Sequence, residues 1–362
     1  MPPDAPEPQM DEVRSEPEPQ HRDGAEQSAE AQAAGRAPTP SARWRAFILP
    51  VAALLSAAAL PFVLPTYYVC TLVLVYAMAA VGLNLLWGHA GLMSFGQGIF
   101  FGFGAYGSAL VMIHLHWGLI RALLTGLVLG AAVAAAVGFL AVRRRGIYFV
   151  LLTFAFAEMF AFLVYAFGDL TGGENGLLGV PRPALKIGGT ALFGYDSDVK
   201  MYVLSGVLFV LVMVFILIVT RSRFGSTLRA VRDNEDRARA LGYNVKAFKV
   251  LAFTISGAVT GIAGVVYALL LRSVPDSAMQ LSTSSHILVM TIVGGSGNLY
   301  GSFLGALGIT VLSDQLSYVW ARWNIILGLV LIVLVLFLKG GIWGGLAQLA
   351  RWLLGKRGAR DE

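Results

Sequence analysis

Residues 67–88 read YYVCTLVLVYAMAAVGLNLLWG, a run without one Asp, Glu, Lys or Arg. A helix needs about 20 predominantly apolar residues to cross the hydrocarbon core of a bilayer. This stretch is long enough, and too apolar to be paired with an aqueous face, so it reads as a transmembrane helix. Comparable runs lie on both sides of it, near 46–65, 97–116, 119–142, 147–167, 201–220 and 250–271. The last third is less regular. Residues 286–293 (HILVMTIV) are too short to span alone and run into the glycine-rich GGSGNLYG; two further runs follow near 302–320 and 324–338. The expectation is an all-α polytopic membrane protein of about ten transmembrane helices, some of them short and broken.

Composition agrees. The chain is 57% hydrophobic and 13% charged, with a mean hydropathy of +0.70, whereas soluble domains carry roughly 25% charged residues. The charges are also unevenly placed. Nine carboxylates against three arginines make residues 1–42 net −6, so the other 320 residues carry +12 of the chain's overall +6. That leading segment is rich in Pro, Glu, Gln, Ala and Ser and holds almost no large apolar side chains, which predicts disorder. Three domains follow: the acidic tail 1–42, a membrane domain 43–340 and a basic tail 341–362. No basic patch is interleaved with exposed aromatics, so nucleic-acid binding is not expected. The single cysteine, Cys70, sits inside an apolar run and offers neither a disulfide nor a metal site.

Lys and Arg accumulate on the cytoplasmic side of membrane proteins. Arg43 and Arg45 precede the first apolar run, Arg143, Arg144 and Arg145 follow the fourth, and the 221–249 segment, with eight basic and three acidic residues, follows the sixth. All three fall on one side if each run crosses once with a cytoplasmic amino terminus. Arg351, Lys356, Arg357 and Arg360 belong on that side too, and an even number of crossings, ten, satisfies them.

The chemistry of energy conversion is missing from the chain. No G-x-x-x-x-G-K-[ST] phosphate cradle occurs. Gly102-Phe-Gly104-Ala-Tyr-Gly107 matches G-x-G-x-x-G, but within a membrane helix, not between a strand and a helix. Those glycines, like the pairs Gly257/Gly261 and Gly301/Gly305, are expected to let helices approach closely. No H-E-x-x-H occurs and the histidines are scattered, so neither a metal, a cofactor nor an enzymatic activity is expected.

Two segments resemble one another. Gly88-His-Ala-Gly91-Leu-Met-Ser94-Phe-Gly96 and Gly294-Gly-Ser296-Gly297-Asn298-Leu-Tyr-Gly301 each end an apolar run with a GxxG, pass through a small polar turn and open a glycine-spaced helix. Paired breaks of this kind are the best sequence pointer to a transport path. Helix breaks are therefore expected at Gly88, Gly91, Gly294 and Gly297, with Asn84, Ser94, Gln97, Ser296 and Asn298 presenting polar groups beside them. Glu158 is the one carboxylate in the middle of a span; such groups usually face the protein interior. It reads equally as a path-lining residue or as an internal helix–helix lock.

The 221–249 segment carries the most specific pattern. Leu228, Val231, Glu235 and Ala238 follow helical spacing, and Gly242 reads as a stop signal. The spacing predicts one short polar helix, 228–241, held between two spans and suited to docking a soluble partner.

Four blocks together carry a family resemblance: Gly82-Leu-Asn84-Leu-Leu-Trp-Gly88 through Gly104-Ala-Tyr106; Arg145-Gly-Ile-Tyr148-Phe with Thr171-Gly-Gly-Glu-Asn175-Gly; Arg223-Phe-Gly225 through Ala240-Leu-Gly242 and Phe253; and Gly294 through Gly301. Over roughly 70–340 the chain resembles the LivM-type permeases of branched-chain amino-acid ABC importers, a family that includes the urea-importer permease UrtC. The resemblance implies a type II importer fold in the inner membrane. It also implies a homologous second permease subunit, two cytoplasmic ATPase subunits and an extracytoplasmic solute-binding protein facing the 168–199 loop. ATPase docking would fall on Arg229, Arg232, Glu235, Ala238, Leu241 and Gly242. Met93-Ser-Phe-Gly96-Gln97 departs from the family's Leu-Ser-Leu-Gly-His, leaving the solute open among branched-chain amino acids, urea, short amides and small carboxylates. The rival class is a self-sufficient secondary carrier or channel.

Overall fold

A computed structural model describes residues 40–182, 185–187, 190–193 and 197–319, and beyond them positions 325, 326, 328, 329, 332 and 341–345. The acidic tail up to residue 39, most of the expected 324–338 run and the basic tail from residue 346 lie outside the described residues. The chain divides into two units, Met1–Ile48 and Leu49–Glu362. Of the first, residues 40–48 are described, and they are helical.

The described chain is a helical polytopic membrane protein. Helix α1 spans Pro40–Val63, α2 Tyr67–Asn84, α3 Gln97–His114, α4 Leu119–Ala141 and α5 Ile147–Ala166. Then come α6 (Asp198–Arg221), α7 (Arg223–Asp233), α8 (Glu235–Ala240), α9 (Val245–Leu271), α10 (Leu281–Gly294) and α11 (Leu299–Val319). Among the described residues five helices are long and apolar enough to cross a membrane: α2 with its extension to His89, α4, α5, α6 and α9. A sixth crossing results if the bent pair α10–α11, which turns through 118°, counts as one span. The ten crossings expected from the sequence are therefore not reached among these residues. Helix α3 is helical over 18 residues, but its glycines and polar ends keep it outside that set.

Helix α2 is the buried centre. Within its spanning window 89% of the residues are buried, against 22% for α5. It packs on α6, α9 and α11, while α9 packs on α2, α3 and α4. Small residues set these distances, because lipid gives helices no hydrophobic reason to associate and close backbone packing must do so. A Cβ on Gly261 would strike the Gly126 carbonyl, one on Gly257 the Gly130 carbonyl, and one on Gly104 the backbone of Gly261. The glycines of the G-x-G-x-x-G run thus serve helix packing.

At the end of the bundle reached by the carboxyl terminus of α9, short strands tie the loops together. Strand β1 (Leu177–Leu178) pairs antiparallel with β4 (Ser273–Val274), and β2 (Leu185–Ile187) with β3 (Thr190–Phe193). Arg182 donates to the carbonyls of Leu269 (2.8 Å) and Leu270 (2.9 Å) and pairs with Asp198 at 3.7 Å. A cation there satisfies the otherwise unpaired last carbonyls of α9 and opposes the negative end of its dipole.

Candidate functional site

The opposite end of the bundle is built from the 221–249 segment. The single helix expected over 228–241 is two helices, because Asn234 leaves the helical region (φ −156°, ψ 101°). Its side-chain oxygen accepts the Arg237 N–H at 2.9 Å, which makes it an N-cap, a role Asn is well shaped to fill. Gly242 ends α8 as the sequence implied. With φ +87° it places its N–H on the Arg239 carbonyl (3.0 Å) and the Tyr243 N–H on the Ala238 carbonyl (3.2 Å), the paired bonds of a Schellman motif.

The residues named for docking divide into two groups. Ala238 is buried with Val231 and Val245, and Glu235 is the hub of an ion network. Glu235 meets Lys249 at 2.7 Å, Arg239 at 3.0 Å and Arg145 at 3.2 Å. Its side chain is 19% exposed and that of Lys249 8%. These two hold α8 against the start of α9. The outward group is Leu241, 72% exposed, and Tyr243, 46% exposed, at the turn around Gly242. Tyr243 was missed by helical periodicity because it lies past the stop signal. Arg145 contacts Glu235 and Asp236, so the basic 143–145 turn and the 221–249 segment share one end of the bundle.

Arg229 and Arg232 are exposed, but their guanidinium groups turn back onto backbone carbonyls. Arg229 donates to the Thr220 carbonyl at 3.0 Å, closing α7 onto the end of α6. Arg232 donates to the Gly88 carbonyl, and its Cγ lies 2.8 Å from where a Cβ on Gly91 would sit. Here the loop touches the first helix break. Helix α2 widens into a π-turn at Leu85–His89, and Gly91 (φ +69°) lets the chain leave it. Single π-turns inserted in α-helices occur frequently at functional sites.

The second break lies directly against the first. Helix α10 ends at Gly294, and α11 begins at Leu299 after Gly295 (φ +106°) and Gly297 (φ +84°). A Cβ on Gly88 would collide with the Gly297 backbone. Asn84, fully buried, bridges the two: its amide donates to the Asn298 carbonyl and to Ser302 Oγ, each at 2.7 Å, and its oxygen accepts the Gly297 N–H at 2.8 Å. Asn298 Oδ1 accepts the Tyr300 N–H at 3.0 Å and caps the start of α11. The two look-alike segments are neighbours in space.

The other residues named from the sequence take no part in the Asn84 bridge. Gln97 is fully buried; its amide donates to Ser256 Oγ (3.0 Å) and its oxygen accepts from Thr260 Oγ1 (2.8 Å), joining α3 to α9. Ser94 Oγ accepts the Gly96 N–H at 3.0 Å, within its own turn. Ser296 is exposed at the second break. Glu158, expected to face the interior, lies on the exposed face of α5. Neither a hydrogen bond nor an ion pair reaches it among the described residues. Among those residues no three His, Cys, Asp or Glu side chains gather as a metal site requires.

Comparison with known proteins gives a consistent picture. Residues 66–338 match the family model described as branched-chain amino acid transport system / permease component. The high-affinity branched-chain amino acid transport system permease protein LivM of Escherichia coli K12 is 29% identical over 307 residues, covering 79% of this chain and 72% of that protein. LivM of Salmonella typhimurium is 29% identical over 308 residues with the same coverage. A shorter likeness, 35% over 144 residues and 38% of this chain, is to the autoinducer 2 import system permease protein LsrC of Klebsiella pneumoniae, 42% of which it covers. No solved structure matches.

Proposed function

Because the chain belongs to the family of branched-chain amino acid transport permeases, we propose that it is one permease subunit of an ABC importer for branched-chain amino acids or a related small solute, driven by ATPase subunits on separate chains. The observation that carries this reading is the contact between Arg232 and the Gly88 carbonyl. It joins a segment with an exposed apolar tip to a pair of helix breaks inside the membrane domain. A self-contained carrier has no need of a protruding Leu241 and Tyr243 beside so many charges; a docked motor does.

On this reading Leu241 and Tyr243 seat in a cytoplasmic ATPase subunit. The Glu235–Lys249 pair keeps α8 rigid against α9, and Arg232 passes displacement to the break at Gly88–Gly91. Asn84 then couples that break to Gly294–Gly297. ATP can shift the permease only through its differential affinity for two states of the ATPase pair, so every link must be stiff. Buried Asn84 and Gln97 hold helices together, while Glu158 and Ser296 offer polar groups toward the path. The solute is delivered by a binding protein at the 168–199 loop, and a homologous second permease completes the channel. The amino terminus lies in the cytoplasm of an inner-membrane protein.

Purification in mild detergent is expected to recover ATPase subunits with the chain, and reconstituted vesicles to require ATP and binding protein for uptake. Accumulation of solute by the isolated chain down an ion gradient would overturn the proposal and establish a secondary carrier.

A further inference from the structure

A second polar cluster lies at the far end of α5 from the ATPase-side loop. The single 3₁₀ turn Asp276–Met279 joins α9 to α10 and rests on α3 and α5. Gly102 makes room for it, since a Cβ there would meet the Met279 side chain at 2.7 Å. Asp276 Oδ2 accepts Tyr165 Oη at 2.8 Å and the Gln280 amide at 2.8 Å, and that amide also reaches Tyr165 Oη at 3.0 Å. No lysine or arginine pairs with Asp276 among the described residues. Its other oxygen, Oδ1, accepts the Ser277 N–H at 2.7 Å, so the carboxylate is fixed in position and, among the described residues, not compensated by a cation.

An independent observation points to a missing ligand. Tyr106 lies one helical turn beyond Gly102 on α3 and is 4% exposed, yet its hydroxyl has no hydrogen-bond partner. The 276–279 turn packs against this same helix, with Met279 seated over Gly102 one turn away. A buried hydroxyl without a partner is costly, and native structures seldom keep one without a reason. Two turns along α5 from Tyr165, on the same stripe of the helix, stands the unpaired Glu158.

We propose that Tyr106, Tyr165, Asp276 and Gln280 form a binding site for the ammonium group of an amino-acid solute. The inference rests on the reading of the chain as an amino-acid permease and assigns the residues that meet the solute's positive charge. Asp276 supplies the counter-charge, Tyr106 supplies a hydroxyl oxygen freed of other bonds, and Gln280 and Tyr165 hold the carboxylate in place. Glu158, deeper on the same face, offers the next anionic stop.

The test uses the complete importer, reconstituted with its ATPases and binding protein, carrying Ser282→Cys as an exposed reporter; the native Cys70 is fully buried. Cationic thiosulfonate reagents should label the reporter faster than anionic ones, and Asp276→Asn should abolish the preference. Leucine should protect the reporter, whereas 4-methylpentanoate, the same side chain without the ammonium group, should not. Tyr106→Phe removes a hydroxyl that the fold does not use, so assembly should be intact while protection by leucine weakens about tenfold or more, the loss expected for one charge-assisted hydrogen bond. Equal protection by both solutes, or protection unchanged in Tyr106→Phe and Asp276→Asn, overturns the site. Failure of the wild-type importer to accumulate any branched-chain amino acid instead overturns the amino-acid reading on which it rests.

Discussion

Replacing Arg232 with alanine tests the link between motor and membrane domain. In the structure this side chain reaches the Gly88 carbonyl with one guanidinium nitrogen, while others contact Asp233 at 3.2 Å. The Asp233 contact is local to α7 and should matter little; the Gly88 contact crosses from the loop to the π-turn. Hydrogen bonds from charged donors contribute about 1.5–3 kcal/mol net. Because the Arg232 side chain is 41% exposed, the lower end applies, about 1.5 kcal/mol. A factor of ten in an equilibrium corresponds to about 1.4 kcal/mol, so the coupled states should drift apart by roughly that factor. The assay is ATP hydrolysis and solute uptake measured on the same vesicles. Arg232→Ala should keep its ATPase subunits and go on hydrolysing ATP while uptake per ATP falls about tenfold. Arg232→Lys, which retains a charged donor without the fork, should recover part of the loss. Unchanged uptake per ATP in Arg232→Ala would refute the argument, since the side-chain bond that joins α7 to the first break would then carry no coupling.

Leu241→Asp should abolish co-purification of the ATPase subunits without lowering the midpoint of thermal unfolding, because the side chain lies 72% exposed. Asn84→Leu leaves the Gly297 N–H and the Asn298 carbonyl without this partner; at about 1–3 kcal/mol for each buried group left unsatisfied, a clear drop in thermal stability in detergent is expected. Gly130→Leu should destabilise by at least the 1–3 kcal/mol typical of overpacking, since the Gly257 carbonyl occupies the space of its Cβ; differential scanning fluorimetry reads this directly. Glu235→Gln should cost about 3–5 kcal/mol because it abandons the buried Lys249 charge, whereas Lys249→Met should cost less because Glu235 keeps Arg239 and Arg145. The double truncation Glu235→Gln with Lys249→Met should cost less than the two singles combined, which a double-mutant cycle measures.

The membrane class was legible from residues 67–88 alone, because nothing else accounts for so long a run without charge. Inside and outside were not. Helices α2 and α5 have the same mean hydropathy, yet one is the core and the other lies mostly exposed. In water an apolar face must be buried; in lipid it need not be, so hydropathy loses its power to orient a helix. Glu158 shows the consequence: the rule that intramembrane charge faces inward did not place it, and it lies on the exposed face of α5. Glycine was more informative. Gly242 gave the end of α8, and the GxxG pairs marked both breaks, because positive φ and close backbone approach leave few alternatives to glycine. Gly257 and Gly261 pack against Gly126 and Gly130, a pair with the same four-residue spacing. The ion network around Glu235 was not legible, because Arg145 and Lys249 are distant in sequence and no local pattern links them.

These facts converge on α5. Two residues before it, Arg145 joins the network that fixes the 221–249 loop; at its other end, Tyr165 holds the carboxylate of Asp276. Between them the helix rises by roughly 30 Å at 1.5 Å per residue, and with 22% of its window buried few packed side chains hold it along the way. An element pinned by polar contacts at both ends and loosely packed between them shifts as a rigid strut, since its own backbone bonds are complete while its external ones are few. On the proposed reading, displacement of the 221–249 loop therefore travels along α5 to the Asp276 cluster as well as through Arg232 to the break on α2. Glu158 rides on the moving element and faces outward.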